Sequence, residues 1–212
     1  MARVLILFAH PALEKSRVHR RLVAQLPDLK ALTFHDLYEA YPNFDIDVER
    51  EQQLLAANDV IVLQHPFFWY STPALLKQWE DLVLEHGWAY GSRGTALRGK
   101  RMLNLITTGG QASAYQADGM AGFTVRQLLV PIERSALLCG IEYVPPYLIQ
   151  GTHLMTPADI EAAALRYRRT LELLCEDQAP LASAGSCSSL NEVLDPLLDR
   201  DLSMKGKSGG VP

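Results

Sequence analysis

Three short stretches of this chain carry residue types suited to holding a flat, anionic ligand. The densest is Pro66-Phe67-Phe68-Trp69-Tyr70-Ser71-Thr72-Pro73, four aromatic side chains confined between two prolines. Aromatic faces stack on flat rings, and the prolines stop the segment from continuing as helix or sheet. The same residues could instead pack as a satellite core cluster. A second stretch holds His10, Pro11, Ser16, Arg17 and His19 and runs into the start of a helix. Free backbone N–H groups there, with the Ser16 hydroxyl and the Arg17 guanidinium, suit a phosphate. The alternative is that Ser16 is a plain helix cap and Arg17 a solvated charge. The third stretch is Thr107-Thr108-Gly109-Gly110-Gln111. Its paired glycines allow close backbone approach and leave amides free to donate to a ring edge or a pyrophosphate, although a glycine pair also makes a simple turn. Tyr115, shortly after it, is a candidate hydrogen-bond donor beside a reacting ring, or else a surface tyrosine.

These stretches need elements to place them. Apolar runs of strand length stand at residues 3–8, 31–34, 60–64, 101–107 and 143–150. Helical patterns begin near residue 16 and span about 48–57, 73–86, 123–139 and 157–176. Strands alternating with helices imply an α/β fold with a parallel sheet covered on both faces, because right-handed crossovers put the helices there. Strand order 2-1-3-4-5 brings the loops after the first, third and fourth strands to one crevice. Thr72-Pro73 and Thr156-Pro157 read as helix starts, a cap followed by a proline whose missing N–H is harmless, with Asp159 adding charge at the second. After residue 179 the composition shifts to Ser, Gly, Asp and Lys, and residues 180–212 read as a poorly ordered tail with one short amphipathic patch at 190–198.

Composition narrows the function. With 212 residues, 48% hydrophobic and 21% charged, the chain suits one globular domain with a sizeable core. A net charge of −4 without a basic stripe argues against nucleic acid. No apolar run approaches a membrane span, and Met1 leads directly into a strand, so a soluble, unexported protein is expected. Three cysteines without paired spacing fit a reducing cytoplasm. The histidines form no helical ligand pair, so no metal site is expected, and His65 and His153 read as buried histidines satisfying backbone groups. Gly94-Thr95-Ala96-Leu97-Arg98-Gly99-Lys100 mimics a phosphate-binding loop, but it precedes its strand and has Arg101 where a Ser or Thr should stand. No G-x-G-x-x-G opens the first crossover, so nicotinamide would visit as a substrate rather than reside.

On these residues the chain resembles the flavodoxin-like NAD(P)H:quinone oxidoreductases, and within them the ancillary flavoproteins of glutathione-regulated potassium efflux systems. The resemblance runs from about Val4 to Glu172. It is carried by Ala9-His10-Pro11, Tyr41-Pro42-Asn43-Phe44-Asp45-Ile46-Asp47, Gln64-His65-Pro66, Trp69-Tyr70-Ser71 and Thr107-Thr108-Gly109-Gly110, and extended by His86-Gly87-Trp88-Ala89-Tyr90-Gly91 and Gly94-Thr95-Ala96-Leu97. It implies a flavodoxin-like three-layer sandwich holding FMN, with FAD as the other flavin. His10 and Ser16, Arg17, Val18 and His19 would hold the phosphate. Phe67, Phe68, Trp69 and Tyr70 would cradle the isoalloxazine, and Thr108, Gly109, Gly110 and Gln111 would complete the site. The implied reaction is two-electron, ping-pong reduction: NAD(P)H gives hydride to the flavin and leaves, and a quinone takes its place, with Tyr115 bonded near the ring. Met120-Ala121-Gly122 occupies the region where larger mammalian relatives carry an assisting histidine. The resemblance further implies a homodimer. It also offers an alternative role as a regulatory subunit of a membrane antiporter, placing a cytoplasmic protein peripherally on the inner membrane.

Overall fold

The computed structural model describes residues 1–177 and 179–208. Its strands are β1 (Val4–Phe8), β2 (Leu32–Asp36), β3 (Val60–Pro66), β4 (Arg101–Thr107), β5 (Glu142–Tyr143) and β6 (Tyr147–Ile149). They pair in parallel in the order β2-β1-β3-β4-β5, with β6 also on β4. Every residue of β1 and β3 is buried, as near-continuous apolar strands covered on both faces should be. Register sets Phe8 beside Gln64 and Pro66 beside Thr107, so the central strands end together and their loops open on a common space.

Strand alternation divides the core. Val4, Ile6, Phe8, Val60, Val62, Leu103 and Leu105 face α1 (Arg17–Val23), α7 (Pro157–Glu176) and α8 (Asn191–Ser208). Leu5, Leu7, Ile61, Leu63, Met102 and Ile106 face α2 (Leu37–Ala40), α3 (Val48–Ala57), α4 (Ala74–Val83), α5 (Val125–Leu128) and α6 (Val130–Leu138). The expected flavodoxin-like three-layer α/β sandwich is thus the observed one. On the second face Glu51, fully buried, accepts bonds on both oxygens. His35 Nε2 (2.7 Å) and the Tyr41 hydroxyl (2.6 Å) meet Oε1, and Trp79 Nε1 (2.9 Å) meets Oε2. Burial alone would raise this carboxyl, but the bonds from His35, Tyr41 and Trp79 outweigh it and hold it below the usual range.

Four expectations need correction. The last strand is split into β5 and β6 because Pro145 and Pro146 offer no N–H to the ladder. The helix over 123–139 is broken at Leu129, where Pro131 enters the first turn of α6, while Thr124 and Gln127 cap α5 reciprocally. Pro73, not Thr72, stands at the cap position of α4, and no side chain caps it; Thr156 caps α7 as read, and Asp159 returns a bond to the Thr156 N–H, closing a capping box. The tail is not poorly ordered over its described residues. After a short turn at Leu181–Ala184 it forms α8, and Leu190, Leu194 and Leu198 are completely buried. Leucines spaced by four lie on one helical face, and each contributes about 1.5–3 kcal/mol by leaving water. Residues 209–212 of that tail lie outside the described residues.

Candidate functional site

A cleft of about 480 Å³ opens where β1, β3 and β4 end. His10, Ser16, Arg17, Val18, Phe67, Phe68 and Gly109 line it, joined by Lys15, Thr107, Thr152 and His153. His10 packs on Phe8 and accepts the Ala12 N–H at Nδ1 (3.2 Å), so the neutral ring carries its proton on Nε2 as a donor. Burial holds its pKa below the ordinary value, partly offset by nearby Glu14. Ser16 does cap α1, its Oγ accepting from the His19 N–H at 3.1 Å, yet the hydroxyl proton remains available. Arg17 crosses the cleft edge and donates one N–H to the Met155 carbonyl at 2.9 Å.

His19 lies behind His10, with ring centroids 5.0 Å apart in edge contact. Its Nε2 is 2.9 Å from Thr107 Oγ1, while its Nδ1 is buried without a partner among the described residues. Burial, then the neighbouring His10 and His65, push its pKa well down. Gln64 Nε2 is a second buried polar atom without a partner among the described residues; its Oε1 accepts the Tyr167 hydroxyl at 2.8 Å. Buried polar groups are nearly always paired, so leftovers at the end of the central strands call for an explanation. His65 shows the ordinary case. Its Nδ1 donates to the Pro66 carbonyl and its Nε2 accepts from Asn104, which in turn accepts the Tyr143 hydroxyl, as the reading of a buried structural histidine requires.

The aromatic turn is tight, with the Ser71 N–H on the Phe68 carbonyl at 2.9 Å. Both central residues are left-handed, Trp69 at φ +49° and Tyr70 at φ +62°. Aromatic residues occupy that region at a cost of about 1–2 kcal/mol each, strain that clusters at ligand sites. The turn separates the aromatics. Phe67 is buried, Phe68 lines the cleft, and Trp69 is 93% exposed and off its wall. Tyr70 is half-exposed and packs edge-on to Phe67.

The glycine pair is constrained by neighbours. A Cβ on Gly109 would meet the His153 ring at 2.3 Å, and one on Gly110 the Tyr115 ring at 3.2 Å. The N–H groups of Gly109, Gly110 and Gln111 have no partner among the described residues, while Gly110 and Thr108 carbonyls accept from Gly151 (2.8 Å) and Thr152 (3.0 Å). Tyr115 packs on Phe67, and burial, then Tyr70, raise its hydroxyl pKa. Thr108, Gly110, Gln111, Tyr115 and His19 stand beside or behind the cleft rather than on its wall. His153 is exposed on that wall, which corrects its reading as a buried histidine. Lys15 and Thr152 were also missed. Lys15 is an ordinary charge in sequence, and Thr152 and His153 reach the cleft only through the pairing of β6 with β4. Lys100 of the mimic phosphate loop instead donates to the Ala56 (2.9 Å) and Asn58 (2.5 Å) carbonyls.

Fold and site together define a flavodoxin-like α/β protein with a polar and aromatic cleft at its switch point. The family model described as a flavodoxin-like fold matches residues 2–171. The chain therefore belongs to this family, among the flavodoxin-like NAD(P)H:quinone oxidoreductases, which include an NADPH-quinone reductase of solved structure. It is 46% identical over 164 residues to the uncharacterized NAD(P)H oxidoreductase YrkL of Bacillus subtilis, covering 77% of this chain and 94% of that one. It is 42% identical over 168 residues to the glutathione-regulated potassium-efflux system ancillary protein KefF of Klebsiella aerogenes, covering 79% and 94%. The general stress protein 14 of Treponema denticola, solved in complex with FMN, is 38% identical with a TM-score of 0.76, covering 81% and 99%. No helix among the described residues is long and apolar enough to cross a membrane.

Proposed function

We propose that the cleft binds FMN and that the protein is a flavin-dependent NAD(P)H:quinone oxidoreductase. The observation that carries this reading is the convergence of spare donors from separate loops, His10 Nε2, the Ser16 hydroxyl and the Gly109–Gln111 amides, around a cleft walled by Phe67 and Phe68. The chemistry of that donor set fits a phosphate at one end and a flat, hydrogen-bonding ring at the other. When bound, the flavin supplies two-electron hydride transfer from NAD(P)H to a quinone, the two substrates using one site in turn. The chain's own part is positioning. Ser16, Arg17, Val18 and His19 orient the phosphate, with His10 donating from Nε2. The strained turn at Trp69 and Tyr70 aims Phe67 and Phe68, while Thr108, Gly109, Gly110 and Gln111 receive the ring edge. Tyr115, kept protonated at neutral pH, donates its hydroxyl to the reacting ring or bound quinone. A homodimer in the cytoplasm belongs to the same reading.

Denaturing the purified protein and identifying the released cofactor by mass tests it and separates FMN from FAD. NAD(P)H oxidation with a benzoquinone follows. A colourless protein that takes up no flavin and oxidises no NAD(P)H would overturn the reading. Tyr115→Phe is expected to keep flavin and lose quinone turnover. The identity with KefF supports a second role, an ancillary subunit bound to a potassium-efflux antiporter on the inner membrane. Recovery of such a transporter from membranes by the pure protein would support it.

A further inference from the structure

The family match ends at residue 171, yet the chain continues into an ordered segment from Leu181 to α8 that fastens itself to two places flanking the cleft. The first is the sheet edge. In β6, Ile149 turns its carbonyl to β4, accepting the Thr108 N–H at 3.0 Å, so Leu148 points its N–H and C=O outward. The Asn191 carboxamide meets both: the Leu148 N–H donates to Asn191 Oδ1 at 2.7 Å, and Asn191 Nδ2 donates to the Leu148 carbonyl at 3.1 Å. A side-chain amide thus supplies the donor and acceptor that a neighbouring strand would offer. The adjacent Leu190 N–H bonds the Pro146 carbonyl at 2.9 Å, so the extension follows this edge through Pro146 and Leu148.

The second place is α5. Arg126 donates to the Gly185 carbonyl at 3.0 Å and to the Cys187 carbonyl, clasping the extension before α8 begins. The residues leading into α5 carry Tyr115, in a loop closed by the Ala121 N–H on the Ala114 carbonyl at 2.9 Å. β6 leads directly into Gly151–Met155, the wall that places Thr152 and His153 in the cleft and accepts Arg17 at Met155. A three-residue strand preceded by two prolines has few ladder bonds of its own, and edge strands left uncovered fray or pair elsewhere.

We propose that the C-terminal segment is a strap that holds the two loops flanking the cleft, with Asn191 and Arg126 as positioning residues for the ligand site. Its three core leucines anchor the strap, and the two polar clasps transmit that anchorage to β6 and α5. The consequence for FMN rests on the function proposed above; the consequence for the wall does not.

Site-resolved hydrogen exchange on the full-length protein without added ligand tests the wall, using Asn191→Leu and Arg126→Met, because removing the whole strap would expose core leucines. With Asn191→Leu, exchange at the Leu148 and Thr152 amides is expected to accelerate about tenfold or more, the loss of two backbone-type bonds, while β1 amides are unchanged. Asn191→Asp, which keeps the acceptor, should fall between. FMN titration then reads the site: the Asn191→Leu dissociation constant should rise about tenfold and the Arg126→Met one severalfold. Unchanged exchange at Leu148 and Thr152, or equal acceleration in β1, overturns the strap. Accelerated exchange with unaltered FMN affinity overturns its positioning role. Wild-type protein that binds no FMN overturns the flavin reading and leaves the strap to be judged by exchange.

Discussion

The Glu51 hub on one face of the sheet and the His10–His19 cleft on the other are built from similar buried polar side chains, but they are finished differently. In the hub His35, Tyr41 and Trp79 all close on one carboxylate, and both of its oxygens are used. Around the cleft His10 presents a spare donor and the Trp69–Tyr70 turn is held left-handed, while His19 Nδ1 behind the wall and Gln64 Nε2 in β3 are buried without a partner among the described residues. A satisfied network ties α2, α3 and α4 together and has nothing to offer a ligand. An unsatisfied one at the carboxyl ends of parallel strands stores binding capacity at the expense of stability.

The largest expected effect breaks the hub. Glu51→Ala strands three buried donors, and urea unfolding should show a loss of about 3–5 kcal/mol. A loss under about 1 kcal/mol would show that the hub is not closed. Acid tests the satisfied networks next. His65 has its pKa lowered by burial to about 4. An unfolded histidine titrates near 6.5, so between those values the unfolded chain binds more protons and stability rises with pH. Lowering the pH from 6.5 to 4 should cost about 3 kcal/mol from His65 alone, with His19 adding in the same direction. Glu51, held below its ordinary range, contributes fully above the unfolded carboxylate value and loses that contribution as pH falls through its folded one. Denaturation midpoints that stay flat from pH 6.5 to 4 would contradict this.

Smaller effects probe the cleft. His10→Leu should raise the FMN dissociation constant about tenfold while changing unfolding free energy by less than about 1 kcal/mol, the reverse of the Glu51 pattern. The smallest concerns Trp69. Because it is left-handed and 93% exposed, Trp69→Gly should stabilise the protein by about 1 kcal/mol in thermal or urea unfolding. A marked fall in FMN affinity in the same variant would return a stacking role to Trp69.

Much of this arrangement was legible in the residues. Unbroken apolar runs at β1, β3 and β4 announce strands buried on both faces, and the helices between them dictate a parallel sheet. The loops bearing His10, Phe68 and Gly109 could therefore be brought together from order alone. Other features left a weaker trace. The leucine stripe at 190, 194 and 198 shows in sequence only as a short amphipathic patch, and it becomes a helix because α7 and the sheet offer an apolar surface to bury it. His153 looked like any loop histidine, because its place depends on β6 pairing with β4 and on the space that Gly109 leaves.

By itself, then, the chain determined its strand order and which loops would meet, since apolar periodicity and connection handedness are local properties that act through the whole fold. Only the tertiary structure decided which side chains the site uses. A left-handed turn places Phe68 on the cleft wall and leaves Trp69 in solvent, and a distant Asn191 covers a strand edge whose need for a partner no local pattern records.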